Sequence, residues 1–167
     1  MVPSNAASSL VVEPARPVDH PRIAELTVRT YVDGGLAPDE YVPRLADVEG
    51  RAARSELLVA RDGDRIVGSV ALVLSGEFGE VTTSDDEAAF RMLVVDAGVR
   101  GMGIGELLVL ECLDRARAAG KGRMVLSTDP RMTAAHRLYQ RLGFTRLPER
   151  DWSPLPGVDL LVYSREL

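Results

Sequence analysis

The residues best suited to chemistry are three glycines at alternate positions, Gly101, Gly103 and Gly105, in a segment that begins at Arg100. An apolar stretch precedes the segment and a long amphipathic stretch follows it, which predicts a strand, a turn and a helix N-terminus. Glycine lets the backbone approach a ligand closely, and the amides and dipole of a helix N-terminus favour an anion. The pattern favours a phosphate-binding turn over one that only reverses the chain.

Two familiar phosphate motifs fit this turn poorly. A Walker A loop ends in Gly-Lys-Ser or Gly-Lys-Thr, whereas this sequence continues Gly105-Glu106-Leu107. The dinucleotide fingerprint G-x-G-x-x-G needs a glycine spacing different from the G-x-G-x-G found here. An unrelated nucleotide-binding domain is therefore a remote alternative.

Two segments resemble the signatures of one enzyme family. The stretch from Leu93 to Gly105 looks like the acyl-CoA signature of the GCN5-related N-acetyltransferases: an apolar strand, then Arg or Gln followed by x-x-Gly-x-Gly/Ala. The segment from Ala135 to Phe144, AHRLYQRLGF, is similar to that family's second signature, A-x-x-L-Y-x-x-x-G-F. The signatures occur in the family's order, about thirty residues apart, and the resemblance covers roughly residues 88–148.

The resemblance implies a fold and a cosubstrate. The fold would be the acyl-CoA N-acyltransferase fold, a single α/β domain with a mixed central sheet flanked by helices. Acetyl-CoA would lie between two splayed strands, with the Val95 amide polarising the thioester carbonyl and the glycine turn holding the pyrophosphate. The cofactor-binding residues implied in this way are Leu93, Val94, Val95, Arg100, Gly101, Met102, Gly103, Ile104 and Gly105.

The second signature implies a catalytic residue and contains one departure. Tyr139 would be the general acid that protonates the departing coenzyme A thiolate. It also falls on the apolar face of its predicted helix, so its ring is expected to pack in the core. Met132 stands three residues before the signature alanine, where the family often has an asparagine that helps to hold the cofactor arm. One cofactor contact is therefore in question.

A base or a water path must also remove a proton from the amine. Glu80 and Glu87 precede the predicted central strand, where the family often carries such a glutamate, and Glu80 is the candidate base. Each of the two is equally consistent with a solvated loop charge. His136 lies one helical turn before Tyr139 but is left out of the predicted site, because a lone histidine is more often structural.

The rest of the chain supplies the elements that position these residues. Asp19 is expected to cap the first helix, and Pro43 to interrupt the second. Periodicity and turn residues predict helices over 19–32, 38–54, 104–119 and 131–142, and strands over 56–61, 65–75, 88–95, 123–128, 144–147 and 158–164, with a further strand near 10–13.

Composition narrows the class of protein. The chain has 167 residues, a net charge of −5 and one cysteine, Cys112, which is expected to pack in the core. Residues 1–9 are predicted to be a loose tail and residues 10–167 one domain. The chain is acidic, and its sequence has no pattern of a signal peptide, an apolar span or a metal-ligand cluster. It is therefore expected to be cytoplasmic and to bind no nucleic acid, membrane or metal. With a single cysteine, it is expected to form no internal disulfide. Homodimers are common for the implied fold.

The leading hypothesis is an acetyl-CoA-dependent N-acetyltransferase that acts by direct attack of a primary amine. The acceptor is a small-molecule amine or a peptide, and the acidic composition slightly favours a cationic small molecule. Residues 19–54 and 76–87 are expected to shape its pocket. The alternative is a non-catalytic acyl-CoA-binding regulatory module, which the intact Tyr139 disfavours.

Overall fold

A computed structural model of the protein describes residues 9–75 and 82–167. The strands in these ranges are β1 (Leu10–Pro14), β2 (Glu56–Asp62), β3 (Arg65–Val73), β4 (Glu87–Val95), β5 (Arg123–Thr128), β6 (Thr145–Arg146), β7 (Trp152–Leu155) and β8 (Val158–Glu166). The helices in the same ranges are α1 (His20–Asp33), α2 (Val42–Ala46), α3 (Val48–Arg54), α4 (Ile104–Ala118) and α5 (Thr133–Arg141).

The described strands form one mixed sheet in the order β1-β2-β3-β4-β5-β8-β6, with β7 paired to β8. Among these neighbours β4 and β5 run parallel, and the other pairs are antiparallel. The first hairpin turns at Gly63, whose φ is +60°, and α4 ends before Gly120, whose φ is +77°, as the glycine positions predicted. The predicted fold class, a mixed central sheet flanked by helices, is confirmed.

The sheet carries a separate apolar core on each face. On one face α4 packs through side chains such as Leu108 and Cys112, both fully buried. Burial raises the pKa of the Cys112 thiol, which suits the predicted packing role and not nucleophilic chemistry. On the other face α1 and α3 pack through Ile23, Leu26 and Val48.

Two predicted details of the N-terminal helices are wrong. Asp19 does not cap α1, because its carboxylate accepts hydrogen bonds from the Arg16 amide at 2.8 Å and from Arg61 at 2.9 Å. Pro43 does not break its helix either, since it lies in the first turn of α2, where proline is tolerated. The break falls at Asp47, whose carboxylate accepts the Gly50 amide at 3.0 Å and caps α3.

One strand was missing from the prediction. β7 pairs with β8 through Trp152 opposite Leu160 and Leu155 opposite Val158. The sequence analysis missed this strand because it contains a proline and is followed by a turn. Proline is confined to edge positions of a sheet, so it argues against a strand in the sequence.

In the described part of the chain, no helix is long and apolar enough to cross a bilayer. The cytoplasmic location stays a prediction.

Candidate active site

The central parallel strands separate after a short paired stretch. β4 and β5 are hydrogen-bonded only where Glu87, Ala88 and Ala89 face Arg123, Met124 and Val125. From Phe90 onward β4 has no ladder partner on the β5 side. Unpaired backbone amides and carbonyls in mid-sheet need partners, and a ligand with polar groups along its length would supply them.

A β-bulge lies in the part of β4 that borders the opening. Ala71 of β3 faces Arg91 and Ser69 faces Val94, so β4 has one extra residue in this stretch. Met92 has a φ of +53°, a left-handed conformation that is uncommon for residues other than glycine. Bulges bend a strand, and strained backbone of this kind clusters at functional sites. No signal in the sequence marked Met92 for this conformation.

A cleft with an empty volume of about 890 Å³, part of it open to solvent, occupies the opening. Its walls come from α1, the loop after α1, the bulged part of β4, the end of β5, α5 and the β7–β8 hairpin. The lining residues are Tyr31, Leu36, Ala37, Pro38, Tyr41, Phe90, Arg91, Met92, Leu93, Ser127, Thr128, Asp129, Met132, Tyr139, Pro154, Leu155, Val158 and Leu160. The predicted contribution of residues 19–54 is present, and the β7–β8 hairpin adds a wall that was not predicted.

The cleft connects the two faces of the sheet. Phe90 lies opposite Leu72, and both belong to the core beneath α4. Arg91 lies opposite Ala71, which belongs to the core beneath α1 and α3. Since paired residues of neighbouring strands share a face, the Arg91 side chain is on the α1–α3 face and the Phe90 ring on the α4–α5 face.

The predicted glycine turn joins the end of β4 to α4. Gly101 and Gly103 have φ values of +84° and +79°, and Gly103 is the N-cap of α4. A β-carbon at either glycine would meet no other atom within 4 Å. Among the described residues, no hydrogen-bond acceptor is present for the amides of residues 101–103. The turn therefore presents free amides beside a helix N-terminus, which is the arrangement that binds phosphate groups.

The third glycine of the motif has a different role. A β-carbon on Gly105 would lie 3.4 Å from Cδ2 of Leu138 and 3.8 Å from Cγ2 of Val95. Gly105 thus allows the first turn of α4 to pack against α5. This contact joins the two sequence signatures in space.

Asp96 anchors the start of the turn and was missed in the sequence. Its carboxylate accepts hydrogen bonds from Arg22 at 2.6 Å, Arg65 at 2.8 Å and the Gly98 amide at 2.9 Å. The Gly98 amide and the two guanidinium groups hold the pKa of Asp96 below its usual value. The turn is therefore tied to α1 and β3 by one ionised side chain. An aspartate directly after an apolar strand was the available signal.

Tyr139 lies both in the wall of the cleft and in the buried core, as predicted. It lines the cleft, yet only 5% of its surface is exposed. Its ring centroid lies 5.9 Å from those of Phe90 and Phe144 and 6.1 Å from that of Tyr163. Burial raises the pKa of Tyr139, so its hydroxyl is protonated near neutral pH and can donate a proton but not accept one.

Of the two glutamates named as candidate bases, the structure describes one, Glu87. Glu80 lies outside the described residues. Glu87 is away from the cleft, where its carboxylate accepts hydrogen bonds from Arg150 and the Thr83 amide, each at 2.8 Å. Burial acts to raise the pKa of Glu87, but these partners outweigh it and hold the pKa below its usual value. Glu87 is an ion-pair residue at the point where β4 and β5 join.

We expect Glu87→Gln to reduce the free energy of unfolding by about 3 kcal/mol at pH 7, because it removes the buried negative charge that faces Arg150. A carboxylate with a lowered folded pKa stabilises above its unfolded pKa, and this contribution is lost as the pH falls through the folded pKa. The deficit should therefore shrink below about pH 4. Urea unfolding at both pH values measures it.

Glu166→Gln is the matched control for this substitution, since Glu166 pairs with Arg123 as Glu87 does but its side chain is 75% exposed. We expect a change of about 0.5 kcal/mol or less. Equal losses for the two variants would contradict the structural role of Glu87.

Two further residues were named in the sequence. The Nε2–H group of His136 donates a hydrogen bond to the Asp129 carbonyl oxygen at 3.0 Å, and the His136 ring centroid lies 5.6 Å from that of Tyr163, so the ring is held structurally. Met132 lines the cleft, and its sulfur lies 4.0 Å from the Thr128 hydroxyl. A thioether thus lines the cleft at the position where the family often has an asparagine.

The fold and the site define a class: an α/β protein whose central sheet splits between two parallel strands and has a glycine-rich turn and a helix N-terminus at the end of one of them. The model of the acetyltransferase (GNAT) family matches residues 21–144. The chain belongs to this family, and the predicted family resemblance is confirmed.

Two solved structures show the same fold. A GCN5-related N-acetyltransferase from Kribbella flavida is 28% identical, with a TM-score of 0.71 over 95% of this chain and 98% of that one. The Salmonella typhimurium protein yncA, solved with its cofactor acetyl-CoA, is 21% identical, with a TM-score of 0.70 over 96% of this chain and 95% of that one.

Two curated relatives are similar in sequence. N-acetylaspartate synthetase of Danio rerio is 30% identical over 134 residues, which are 78% of this chain and 43% of the relative. N-alpha-acetyltransferase RimI of Mycobacterium tuberculosis is 28% identical over 149 residues, 89% of this chain and 87% of the relative. The chain thus spans less than half of N-acetylaspartate synthetase.

Proposed function

We propose that the protein is an acetyl-CoA-dependent N-acetyltransferase that transfers the acetyl group directly to the primary amine of a small molecule. One observation carries the proposal: the opening between β4 and β5 leads to the glycine turn at the end of β4 and has Tyr139 in its wall. The names of the relatives, which describe acetylation at nitrogen, and the acetyl-CoA in the yncA structure support it.

Acetyl-CoA fits the residues at the opening. The amides of residues 101–103 and the α4 N-terminus would hold the pyrophosphate, with Arg100, Met102, Ile104 and Gly105 completing the turn. The unpaired edge of β4, including Leu93, Val94 and Val95, would pair with the pantetheine arm, and the Val95 amide would polarise the thioester carbonyl.

The chemical step is a direct acyl transfer. The neutral amine nitrogen attacks the thioester carbonyl carbon, the C–N bond forms and the C–S bond breaks. The coenzyme A thiolate leaves with the bonding electron pair and takes the Tyr139 hydroxyl proton. The acetylated nitrogen loses one proton to water and becomes the neutral amide, so atoms and charge balance once Tyr139 is reprotonated from solvent.

Removal of the amine proton is assigned to water. Of the described side chains that line the cleft, Asp129 is the single carboxylate, and Arg131 holds it through two hydrogen bonds of 2.9 Å. These bonds lower the pKa of Asp129, which makes it a weak base. The open side of the cleft gives the proton a path to bulk solvent.

A coenzyme A release assay with a panel of amines tests the proposal. We expect release above the acetyl-CoA hydrolysis rate with at least one small primary amine. Calorimetric binding of acetyl-CoA without release for any amine would overturn catalysis and support the non-catalytic acyl-CoA-binding module instead.

We expect Asp96→Ala to weaken acetyl-CoA binding about tenfold, because it frees the start of the turn from α1 and β3. Asp151→Ala is the control, since Asp151 likewise pairs with an arginine, Arg146, and accepts a backbone amide, that of Val162, away from the cleft. Both variants should lose stability, and calorimetry should show weaker acetyl-CoA binding for Asp96→Ala alone. Equal affinities would contradict the anchoring role.

A further inference from the structure

The open end of the split between β4 and β5 is bordered by two separately anchored parts of the chain. On the β4 side, α1 packs through Ile23 and Leu26 onto β2, β3 and β4. On the β5 side, the chain continues beyond Val125, the last residue paired with β4, to Asp129. Because the β4–β5 ladder ends before Asp129, a contact across the open end is needed to hold the two parts at one separation.

The loop after α1 reaches over the cleft from the β4 side. α1 ends in a Schellman motif, in which amides beyond the helix donate back to carbonyls of its last turn. Gly35 has a φ of +64°, and its amide donates to the Val32 carbonyl at 3.0 Å. The Leu36 amide donates to the Tyr31 carbonyl at 2.8 Å and completes the motif. This motif uses the amides of Gly35 and Leu36 and leaves their carbonyl oxygens for other partners.

Arg131 connects this loop to the end of β5. Its Nε and Nη2 atoms donate to the two carboxylate oxygens of Asp129, each at 2.9 Å. Its Nη1 donates to the Gly35 carbonyl oxygen at 2.7 Å, and Nη2 also lies 3.4 Å from the Leu36 carbonyl oxygen. A planar guanidinium group has donors on several edges, so it can hold a carboxylate and a carbonyl at the same time. We call this set of contacts the Arg131 bridge.

The Asp129 end of the bridge is itself held in place. Asp129 is only 9% exposed, and its carboxylate also accepts the Arg131 amide at 2.8 Å. Its carbonyl oxygen accepts the Nε2–H group of His136 at 3.0 Å. Exposed ion pairs commonly contribute little, but a two-pronged pair with a fixed carboxylate defines the position of the guanidinium group. The bridge therefore fixes the loop relative to the end of β5.

The loop that the bridge holds forms a wall of the cleft. Leu36 and the two residues after it line the cleft, in the loop that follows a helix of the α1–α3 face. The glycine turn leads into α4, which packs on the opposite face of the sheet, so the acetyl-CoA of the proposed reaction would lie toward that face. The amine would then approach from the α1–α3 face and contact the wall formed by residues 36–38.

We infer that Arg131 is a positioning residue for the acceptor amine, because it holds the wall formed by residues 36–38 at a fixed separation from the end of β5. The inference rests on the proposed function for the identity of the ligand. A wall that packs against the amine stabilises the bound substrate and the transition state alike. Its displacement should therefore raise the KM for the amine and leave kcat nearly unchanged.

Steady-state kinetics of Arg131→Gln tests the inference. The probe amine is whichever of benzylamine, spermidine, L-leucine and L-leucinamide gives the fastest coenzyme A release with the wild type. We expect the KM for this amine to rise at least about fivefold, while kcat and the KM for acetyl-CoA change by no more than about twofold. An unchanged KM for the amine would overturn the inference.

Arg131→Lys distinguishes the bridge from the charge of Arg131, and it replaces Arg131→Gln if that variant fails to fold. Lysine keeps a cation beside Asp129 but cannot hold the carboxylate and both carbonyl oxygens together. The KM for the amine should therefore still rise at least about threefold. A wild-type KM in Arg131→Lys would assign the effect to charge and overturn the bridge.

Arg146→Gln is the matched control. Arg146 likewise donates to both carboxylate oxygens of an aspartate, Asp151, and to a carbonyl oxygen, that of Val162. These three residues are not among the lining of the cleft. Arg146→Gln should keep both wild-type KM values, and a rise equal to that of Arg131→Gln would overturn the inference.

Hydrogen exchange of the loop amides tests the bridge without turnover. We expect the Gly35 and Leu36 amides to exchange at least about tenfold faster in Arg131→Gln than in the wild type, and at the wild-type rate in Arg146→Gln. Equal rates in Arg131→Gln and the wild type would overturn the inference. Faster exchange combined with no coenzyme A release for any amine would overturn the proposed function and leave the placement of this wall by Arg131 standing.

Discussion

Replacing Tyr139 with phenylalanine should reduce kcat by about 10²- to 10⁴-fold and change the KM for acetyl-CoA by no more than about threefold. The substitution removes only the hydroxyl, so the ring contacts with Phe90, Phe144 and Tyr163 remain. Without a donor, the thiolate must leave unprotonated or take a proton from water. Steady-state kinetics at saturating amine measures the loss.

Tyr163→Phe is the control for this prediction. Tyr163 belongs to the same ring cluster, is also buried, and does not line the cleft. It should keep wild-type kcat with a similar stability. Burial raises the pKa of Tyr139 above the usual tyrosine value of about 10. We therefore expect that ionisation of its hydroxyl causes no loss of kcat below this pH. A Tyr139→Phe enzyme with full kcat at every pH would show that Tyr139 is not the acid.

Replacing Gly103 with valine should weaken acetyl-CoA binding about 100-fold or more. At a φ of +79°, a β-branched residue is strained by roughly 1–2 kcal/mol, and relief of that strain moves the amides at the N-terminus of α4. The new side chain also projects into the open space where the pyrophosphate would lie. Calorimetric titration with acetyl-CoA measures the effect.

Gly120→Val is the control that distinguishes an effect on acetyl-CoA binding from the backbone strain of a valine at positive φ. Gly120 follows the other end of α4 and has a φ of +77°, and a β-carbon at this position would likewise meet no other atom within 4 Å. Both variants should lose comparable stability, whereas Gly120→Val should bind acetyl-CoA like the wild type. A folded Gly103→Val protein with unchanged affinity would refute the pyrophosphate assignment.

The features predicted from the sequence are those that local residue patterns control. Three consecutive elements, the apolar strand, the glycine turn and the helix that follows it, depend on residues that are neighbours in the sequence. The sequence pattern therefore predicted all three directly. The second signature named Tyr139 as the candidate general acid, and its place on the apolar face of the helix predicted that its ring is buried. The family resemblance then supplied the arrangement of strands that local patterns do not determine.

The features that were missed depend on contacts between distant segments. Met92 has no intrinsic preference for positive φ, and only the register of β3 against β4 imposes the bulge there. The role of Asp96 requires Arg22 and Arg65, which approach it only in the folded chain.

β4 and β5 are paired over a short stretch, so a small change in the angle between them there moves the far end of the opening by a larger distance. Val95 lies about 20 Å beyond the last paired residue, Ala89, at roughly 3.3 Å per residue. A rotation of about 3° at the join would displace the far end by about 1 Å, which is enough to reduce a reaction rate about 100-fold. In the proposed reaction, the relative positions of carbonyl, amine and phenol therefore depend on the pairing at Ala88 and Ala89 and on the Glu87–Arg150 ion pair, remote from every reacting atom.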